Sequence, residues 1–375
     1  MHHNKAKCIL KYDIIIVGAG PSGCTCAFEF RKENKKVLLI DKYSFPRHKA
    51  CAGGITIKAL QQLPIDIGHL VQHCSRKMIF RFDDKRKIEL FNNSGSCVMV
   101  IREEFDNYYF QETLKQGVEF KKIKKIKNIV TDANKVILDI DDTRYECSYL
   151  IGADGANSSV RKLTSTLEFK NPVYAYEGLV KKNGGDEMST EFIFNKYGYA
   201  WIFPKNDHYN VGIGNLINKA NAPKLKKKDL YDFVNKRFKT DKIDKITGFP
   251  IGTEGENYKT ISDKVFLVGD AAGLAESLLG EGIYNAIVSG KYAAKSIIND
   301  YKNGTFQAKD NYNIFLKYLT DELKLYKKGA KILYGFPKIS YFMMRLGLGK
   351  KFMNGYSDGK TLSQIMGKSK ILPNY

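Results

Sequence analysis

The stretch Tyr12-Asp13-Ile14-Ile15-Ile16-Val17-Gly18-Ala19-Gly20-Pro21-Ser22-Gly23 carries an apolar, β-branched run straight into three glycines at G-x-G-x-x-G spacing. The run reads as a buried strand, and the residues after it, Cys24 to Asn34, read as a helix. A second apolar run, Val37 to Ile40, ends in Asp41, 18 positions beyond Gly23, with Lys42 next to it. Gly18 permits the tight turn out of the strand, and Gly20 lets the backbone approach a pyrophosphate with no Cβ in the way. Gly23 lets the helix pack closely on the strand. The helix N-terminus offers free N–H groups and the positive dipole end to phosphates. Asp41 can accept ribose hydroxyls. Strand, glycines, helix and acid together predict a dinucleotide site; the competing reading is a glycine-rich turn that binds nothing.

Working outward, 375 residues are enough for a large core and two domains. The seven cysteines (8, 24, 26, 51, 74, 97 and 147) form no CxxC pair and no zinc-like spacing, so no metal site is expected. The odd count suits reduced thiols in a cytoplasm. The N-terminus is polar and runs directly into the first strand, without a secretory signal. The net charge of +21 admits nucleic acid, an anionic membrane surface or an acidic donor, or compositional bias alone. No helix-turn-helix, RNP or zinc-finger pattern is present, which argues against nucleic acid.

Past Asp41 a basic loop, Phe45-Pro46-Arg47-His48-Lys49-Ala50-Cys51-Ala52-Gly53-Gly54, lies close in sequence to the dinucleotide site. Residues 55 to 70 read as helical with Pro64 as a break, and 78 to 100 as short strands. Arg102 opens a helix ended by Gly117, and 118 to 140 reads again as strands. Tyr149 to Gly152 is a buried strand feeding the polar turn Ala153-Asp154-Gly155. Residues 170 to 250 are rich in strands and aromatics and hold the only tryptophan, Trp201. Val265 to Val268 leads into Gly269-Asp270, and Gly280-Glu281-Gly282-Ile283 opens a small-residue helix. From Tyr301 onward there are 14 Lys or Arg against 4 Asp or Glu. No run of 18 apolar residues exists; Ile332 to Leu348 comes closest, and fits either an amphipathic helix on a membrane or a helix packed on the core.

The separated motifs, G-x-G-x-x-G, Asp154-Gly155 and Gly269-Asp270, resemble the FAD signature of p-hydroxybenzoate hydroxylase-type flavoproteins. Within that superfamily the chain resembles the geranylgeranyl reductase family over roughly residues 10 to 300. Phe45-Pro46-Arg47 with the loop Ala50-Cys51-Ala52-Gly53-Gly54 is similar to that family's Phe-Pro-Arg and Pro-Cys-Gly-Gly-Gly. Tyr199-x-Trp201-x-Phe203-Pro204-Lys205 matches its most specific motif. Ala50 and Ala52 depart from the pattern. The resemblance implies FAD as cofactor, held by Gly18, Gly20, Ser22, Gly23, Asp41, Lys42, Arg47, Cys51, Ala52, Gly54, Arg102, Asp154, Asp270, Gly282 and Ile283. It implies reduction of C=C bonds in a polyprenyl lipid by hydride from reduced flavin.

Tyr199, Trp201 and Phe203 alternate along a strand and so share one side, either as an aromatic wall for an apolar tail or as a core face. Lys205 either meets a phosphate headgroup or is solvated, and Cys51 is either a proton donor or gating thiol or a small buried filler. No second strand–G-x-G-x-x-G–helix unit exists, so NAD(P)H or a small redox protein would visit as transient electron donor. The expected partners are a prenyl lipid and an anionic membrane surface, with a cytoplasmic, peripheral location. The expected fold is mixed α/β: a Rossmann-like FAD-binding domain (1–75, 98–165, 255–304) and an interleaved antiparallel-sheet substrate domain (76–97, 166–254). A basic helical segment (305–375) follows. Rival readings are a flavin monooxygenase or a halogenase, whose Trp-x-Trp-x-Ile-Pro the motif at 199–204 does not match, and a non-catalytic membrane-associated flavoprotein.

Overall fold

Four parallel strands end side by side at one edge of the molecule. In the computed structural model, Ile9–Val17 pairs with Val37–Asp41 on one flank and with Thr143–Gly152 on the other. Thr143–Gly152 in turn takes Val265–Leu267 as a parallel neighbour. The structure describes residues 9–164, 167–169, 173–182, 189–217 and 224–368. Cys8, the expected boundary at 165/166 and residues 369–375 lie outside them. Ile14, Ile15 and Ile16 are fully buried, as expected for strands covered on both faces. Glu119–Lys122 extends this sheet at one edge, and the antiparallel pair Ile126–Thr131 and Val136–Ile140 extends it at the other. The helices Pro21–Lys32 and Ile283–Asn303 pack together over the sheet.

Strands from 77–91 and 173–251 build a second, seven-stranded sheet that is antiparallel except for one parallel pair, Thr190–Phe194 with Lys77–Arg81. Its central strand, Gly198–Pro204, is buried along its whole length, so its alternation separates two apolar layers. Tyr199, Trp201 and Phe203 face one cluster. Ala200 and Ile202 face another, closed by Leu230 and Val234 of the helix Lys227–Phe238.

Residues 55 to 70 differ from the helix expected of them. Gly54–Thr56 is a strand paired with Cys97–Met99, a four-residue helix follows over Ile57–Leu60, and a single 3₁₀ turn spans Gly68–Leu70. Pro64 lacks an N–H and disfavours helical geometry before it, and the edge of Cys97–Met99 supplies the hydrogen bonds that a longer helix would have made internally.

The basic C-terminal segment is helical but is no appendage. The helix Ala308–Gly335 puts Leu316, Leu319 and Leu323 into the cluster of the first sheet, and Tyr326, Ala330 and Tyr334 into that of the second. Each of the three leucines contributes about 2 kcal/mol through burial, so this helix rivets the two sheets together. Among the described residues no helix is long and apolar enough to cross a membrane.

Candidate functional site

The carboxyl ends of the four parallel strands open into a crevice, the usual ligand position of an open α/β sheet. Gly18, Asp41, Ala153-Asp154 and Gly269-Asp270 stand at those four ends, so motifs far apart in sequence converge. Gly18 has φ +104°, and a Cβ on it would stand 2.3 Å from the Ala153 carbonyl oxygen. A Cβ on Gly23 would fall 1.8 Å from the Gly18 oxygen. Gly20 differs: its Cβ would enter open space, with only an Arg47 nitrogen within 4 Å, at 3.8 Å. The backbone of Gly20 therefore borders the crevice, at the start of the helix that holds the buried Ser22.

The acids divide the work. Asp41 accepts the Ala19 N–H at 2.8 Å and the Tyr43 N–H at 3.0 Å, which fixes its carboxylate at the crevice beside exposed Lys42. Asp154 lines the same crevice and also holds its own turn. Its carboxylate accepts the Ser158 hydroxyl and the Ser159 N–H, both at 2.5 Å, and so caps the helix Ser159–Thr164. It shapes the crevice wall through the turn it holds. Asp270 faces the crevice, with Oδ1 3.2 Å from where a Gly282 Cβ would be. Burial pushes its pKa up, and Lys49 and Arg102 pull it back. Gly282 and Ile283 begin the 21-residue helix Ile283–Asn303, whose first-turn amides lack intrahelical acceptors and face the same cavity.

Two arginines share one carboxylate. Arg102 binds buried Asp106 in bidentate fashion at 2.8 and 2.9 Å, and Arg47 reaches the same carboxylate at 3.2 Å. Burial works against the Arg102 charge, but Asp106 and Cys51 beside it outweigh this and hold its pKa above the ordinary value. Arg47 keeps a buried Nε–H with no partner within the protein, on the cavity wall. A cradle that a Cβ on Gly20 would fill, an orphaned guanidinium N–H and a helix N-terminus together fit a pyrophosphate-linked dinucleotide such as FAD.

The Cys51 loop is pinned from below by residues the sequence left unassigned. Glu177, 3 % exposed, accepts the Cys51 N–H at 3.0 Å and is bonded by the Asn210 amide at 3.3 Å. Asn210 accepts the Trp201 indole N–H at 2.7 Å, so one chain of hydrogen bonds joins the tryptophan to the cysteine loop. Burial raises the Glu177 pKa. A lone carboxylate within the apolar strand Val173–Lys181 was the available signal. Lys205 is neither solvated nor at an outer surface: it is 2 % exposed, and its Nζ donates to the Ala52 carbonyl at 2.8 Å. Its backbone N–H closes a hairpin onto His208, which turns the side chain under the loop. Burial lowers its pKa to about 8.

From the crevice the cavity continues without a wall into an apolar chamber, about 1140 Å³ in all. Tyr199, Trp201 and Phe203 line it, together with Cys51, Ala52 and Gly54. The indole of Trp201 lies over Gly212, where any Cβ would stand 2.0 Å from the ring, and a Cβ on Gly54 would stand 3.2 Å from the Phe203 ring. On the far side Leu325, Leu333, Met344 and Phe352 of the C-terminal helices complete the chamber. A second buried cluster closes the loop before the long helix: Glu281 pairs with buried Lys58 at 2.7 Å. No cluster of metal-ligating residues exists among the described residues.

Residues 11–314 match the FAD binding domain family. An uncharacterized protein of Methanosarcina barkeri is 32% identical over 364 residues, covering 96% of this chain and 93% of its own. Digeranylgeranylglycerophospholipid reductase 2 of Methanosphaera stadtmanae is 30% identical over 351 residues, covering 86% and 87%. Among solved structures, a geranylgeranyl bacteriochlorophyll reductase-like protein of Thermoplasma acidophilum superposes with a TM-score of 0.79 at 21% identity, covering 98% and 97%. Halogenase PltM in complex with phloroglucinol and FAD does so at 0.70 and 14%, covering 86% and 76%, which is a likeness of fold. The chain belongs to the geranylgeranyl reductase family of FAD-binding oxidoreductases.

Proposed function

We propose that this chain reduces isolated C=C bonds in the polyprenyl chain of a lipid, using FAD. One observation carries the reading: the dinucleotide crevice runs unwalled into a long apolar chamber bounded by Tyr199, Trp201 and Phe203. A polar substrate would leave such a chamber's surface unmatched, whereas a prenyl tail fills it.

When bound and reduced, FAD supplies the hydride; the protein supplies position and the proton. Gly20 and Arg47 would hold the pyrophosphate region, Asp41 the ribose, and Asp270 the chain leading to the ring system. The first turn of Ile283–Asn303 would favour negative charge beside it through its dipole. The aromatic wall orients the tail and excludes water. We assign the proton for the second alkene carbon to Cys51 Sγ, which lines the cavity in a loop fixed by Glu177 and Lys205. NAD(P)H or a small redox protein restores the reduced cofactor between turnovers.

The test is anaerobic. Flavin-loaded protein reduced with dithionite is mixed with a geranylgeranylated lipid, and the products are read by mass spectrometry. Gains in steps of two hydrogens with flavin reoxidation support the reductase. Reduced flavin that ignores the lipid yet reacts rapidly with oxygen and oxygenates or halogenates an acceptor overturns it in favour of the monooxygenase or halogenase reading.

A further inference from the structure

We propose that the surface carrying Phe336, Ile339, Phe342, Met343 and Leu346 docks on an anionic lipid bilayer, and that the apolar cavity opens onto the bilayer through this face. The inference concerns where the protein sits and how the cavity is reached, and is separable from the chemistry of the site.

The helix Ala308–Gly335 stops at Gly335, and the chain turns at Phe336 into Pro337–Met343. On the inner side of this short helix Ser340 is buried, and Tyr341 stacks edge-on against Phe82 with centroids 5.6 Å apart. The outer side has no counterpart. Ile339, Phe342 and Met343 are 54%, 57% and 45% exposed. Helical geometry then breaks at Leu346 and Gly347, where Gly347 has φ +117°, and Leu346 is left 85% exposed. Ile339, Phe342 and Met343 share the outer face of the helix Pro337–Met343, and exposed Phe336 and Leu346 stand where the chain enters and leaves it. A contiguous exposed apolar stripe of this kind marks an interaction surface.

The charge around the stripe identifies its partner. Between residues 323 and 357 there are eight Lys or Arg (324, 327, 328, 331, 338, 345, 350, 351) and no Asp or Glu. Lys331, Lys338, Arg345, Lys350 and Lys351 are all exposed. Apolar side chains flanked by cations suit the boundary between acyl chains and anionic headgroups. A second copy of this chain fits poorly, because a two-fold contact would set these like charges against themselves.

The cavity reaches the same face. Ile332, Met343 and Met366 belong to the cavity wall and are 49%, 45% and 42% exposed. An apolar chain moving between bilayer and cavity through this mouth would stay clear of water.

Truncation before residue 308 would strip the helix shared by both cores, so point changes on exposed residues are the cleaner test. The flavin-loaded full chain is sedimented with vesicles of phosphatidylglycerol and phosphatidylcholine, and with phosphatidylcholine alone. The expected results are partition into the anionic vesicles and at least ~10-fold weaker partition for Phe342→Glu/Leu346→Glu, with flavin content and circular dichroism unchanged. A second measurement uses Leu346→Trp, since the one native tryptophan, Trp201, is 5% exposed within the core. Its emission should shift to the blue on anionic vesicles and be quenched by brominated acyl chains. Failure of the native protein to bind anionic vesicles, or undiminished binding by the double variant, overturns the proposal. So does a concentration-dependent dimer abolished by the double variant in a protein that ignores vesicles. Turnover of detergent-dispersed prenyl lipid by a protein that ignores vesicles would remove this inference and leave the reductase standing. Vesicle binding without turnover would do the reverse.

Discussion

Glu177 and Cys51, 126 residues apart in sequence, are joined by a single hydrogen bond: the Cys51 N–H donates to the Glu177 carboxylate at 3.0 Å. The contact crosses from the second sheet to the loop beside the dinucleotide crevice. With the Lys205 contact to the Ala52 carbonyl, it lets strands of the second sheet set the position of a cavity-lining thiol in that loop.

Glu177→Ala leaves the Cys51 N–H and the Asn210 amide without their acceptor, and should cost about 1–3 kcal/mol. Glu177→Gln keeps an acceptor oxygen for Cys51 and should lose less. Urea midpoints and the visible spectrum of the flavin-loaded protein give the readout. Equal effects of the two changes would argue that packing, not the hydrogen bond, holds the loop.

Gly20 and Gly23 should separate cofactor binding from folding. Gly20 has φ −80° and ψ −175°, ordinary extended backbone, and its Cβ would project into the open crevice. Gly20→Ala should fold with normal stability and bind FAD at least ~10-fold more weakly. Gly23→Ala puts a methyl 1.8 Å from the Gly18 oxygen and should destabilise the fold itself by several kcal/mol (~3 or more). Thermal melts of the apo and loaded proteins distinguish the two; a normal apo melt for Gly23→Ala would contradict the packing role.

Asp106 neutralises Arg102 and Arg47 together. Removing it as Asp106→Ala leaves two neighbouring cations, one of them buried, and should cost about 3–5 kcal/mol. Arg47→Lys, which keeps a charge and gives up the orphaned Nε–H, should fold nearly as well as the native protein and lose cofactor affinity. Denaturation and flavin titration of the two variants test this, and a stable Asp106→Ala protein would count against it.

Lys205 predicts a pH dependence. Burial lowers its pKa from 10.5 to about 8, so between those values the unfolded chain binds more protons than the folded one. Stability conferred by this position therefore rises with pH across that window, and the penalty is fully present below pH 8. Relative to Lys205→Met, the native protein should gain up to ~3 kcal/mol between pH 7.5 and 10.5. Urea midpoints of both proteins at the two pH values give the difference, in which other titrating groups cancel. A flat difference would mean Lys205 is not buried as described.

Cys51→Ala should leave flavin binding and KM for the lipid nearly unchanged and lower kcat by ~10²-fold or more, the range lost with a positioned proton donor. Single-turnover reoxidation of reduced flavin by the lipid measures this step alone. Unchanged turnover would reduce Cys51 to a small filler of the loop.

The sequence by itself determined the dinucleotide half of the molecule. The strand–glycine–helix unit at 12–34, the acid at 41 and the late Gly269-Asp270 are short-range patterns whose geometry is dictated within a few residues, and four parallel strands bring them to one crevice. The alternation of Tyr199, Trp201 and Phe203 likewise settled that they share a side, because strand periodicity is local. Tertiary structure decided the rest. Residues 55–70 lost their expected helix to an edge supplied by Cys97–Met99. Lys205 went under the Ala52 carbonyl and Glu177 reached Cys51, each through a partner that no nearby pattern announces. In the C-terminal segment apolar residues recur at helical spacing throughout. The docking of Ala308–Gly335 across both cores buried Leu316 to Tyr334, and the turn at Phe336 sent the next stripe outward. Helical periodicity fixes which side chains share a face; only the packing of that helix against distant strands decides whether the face meets protein or not.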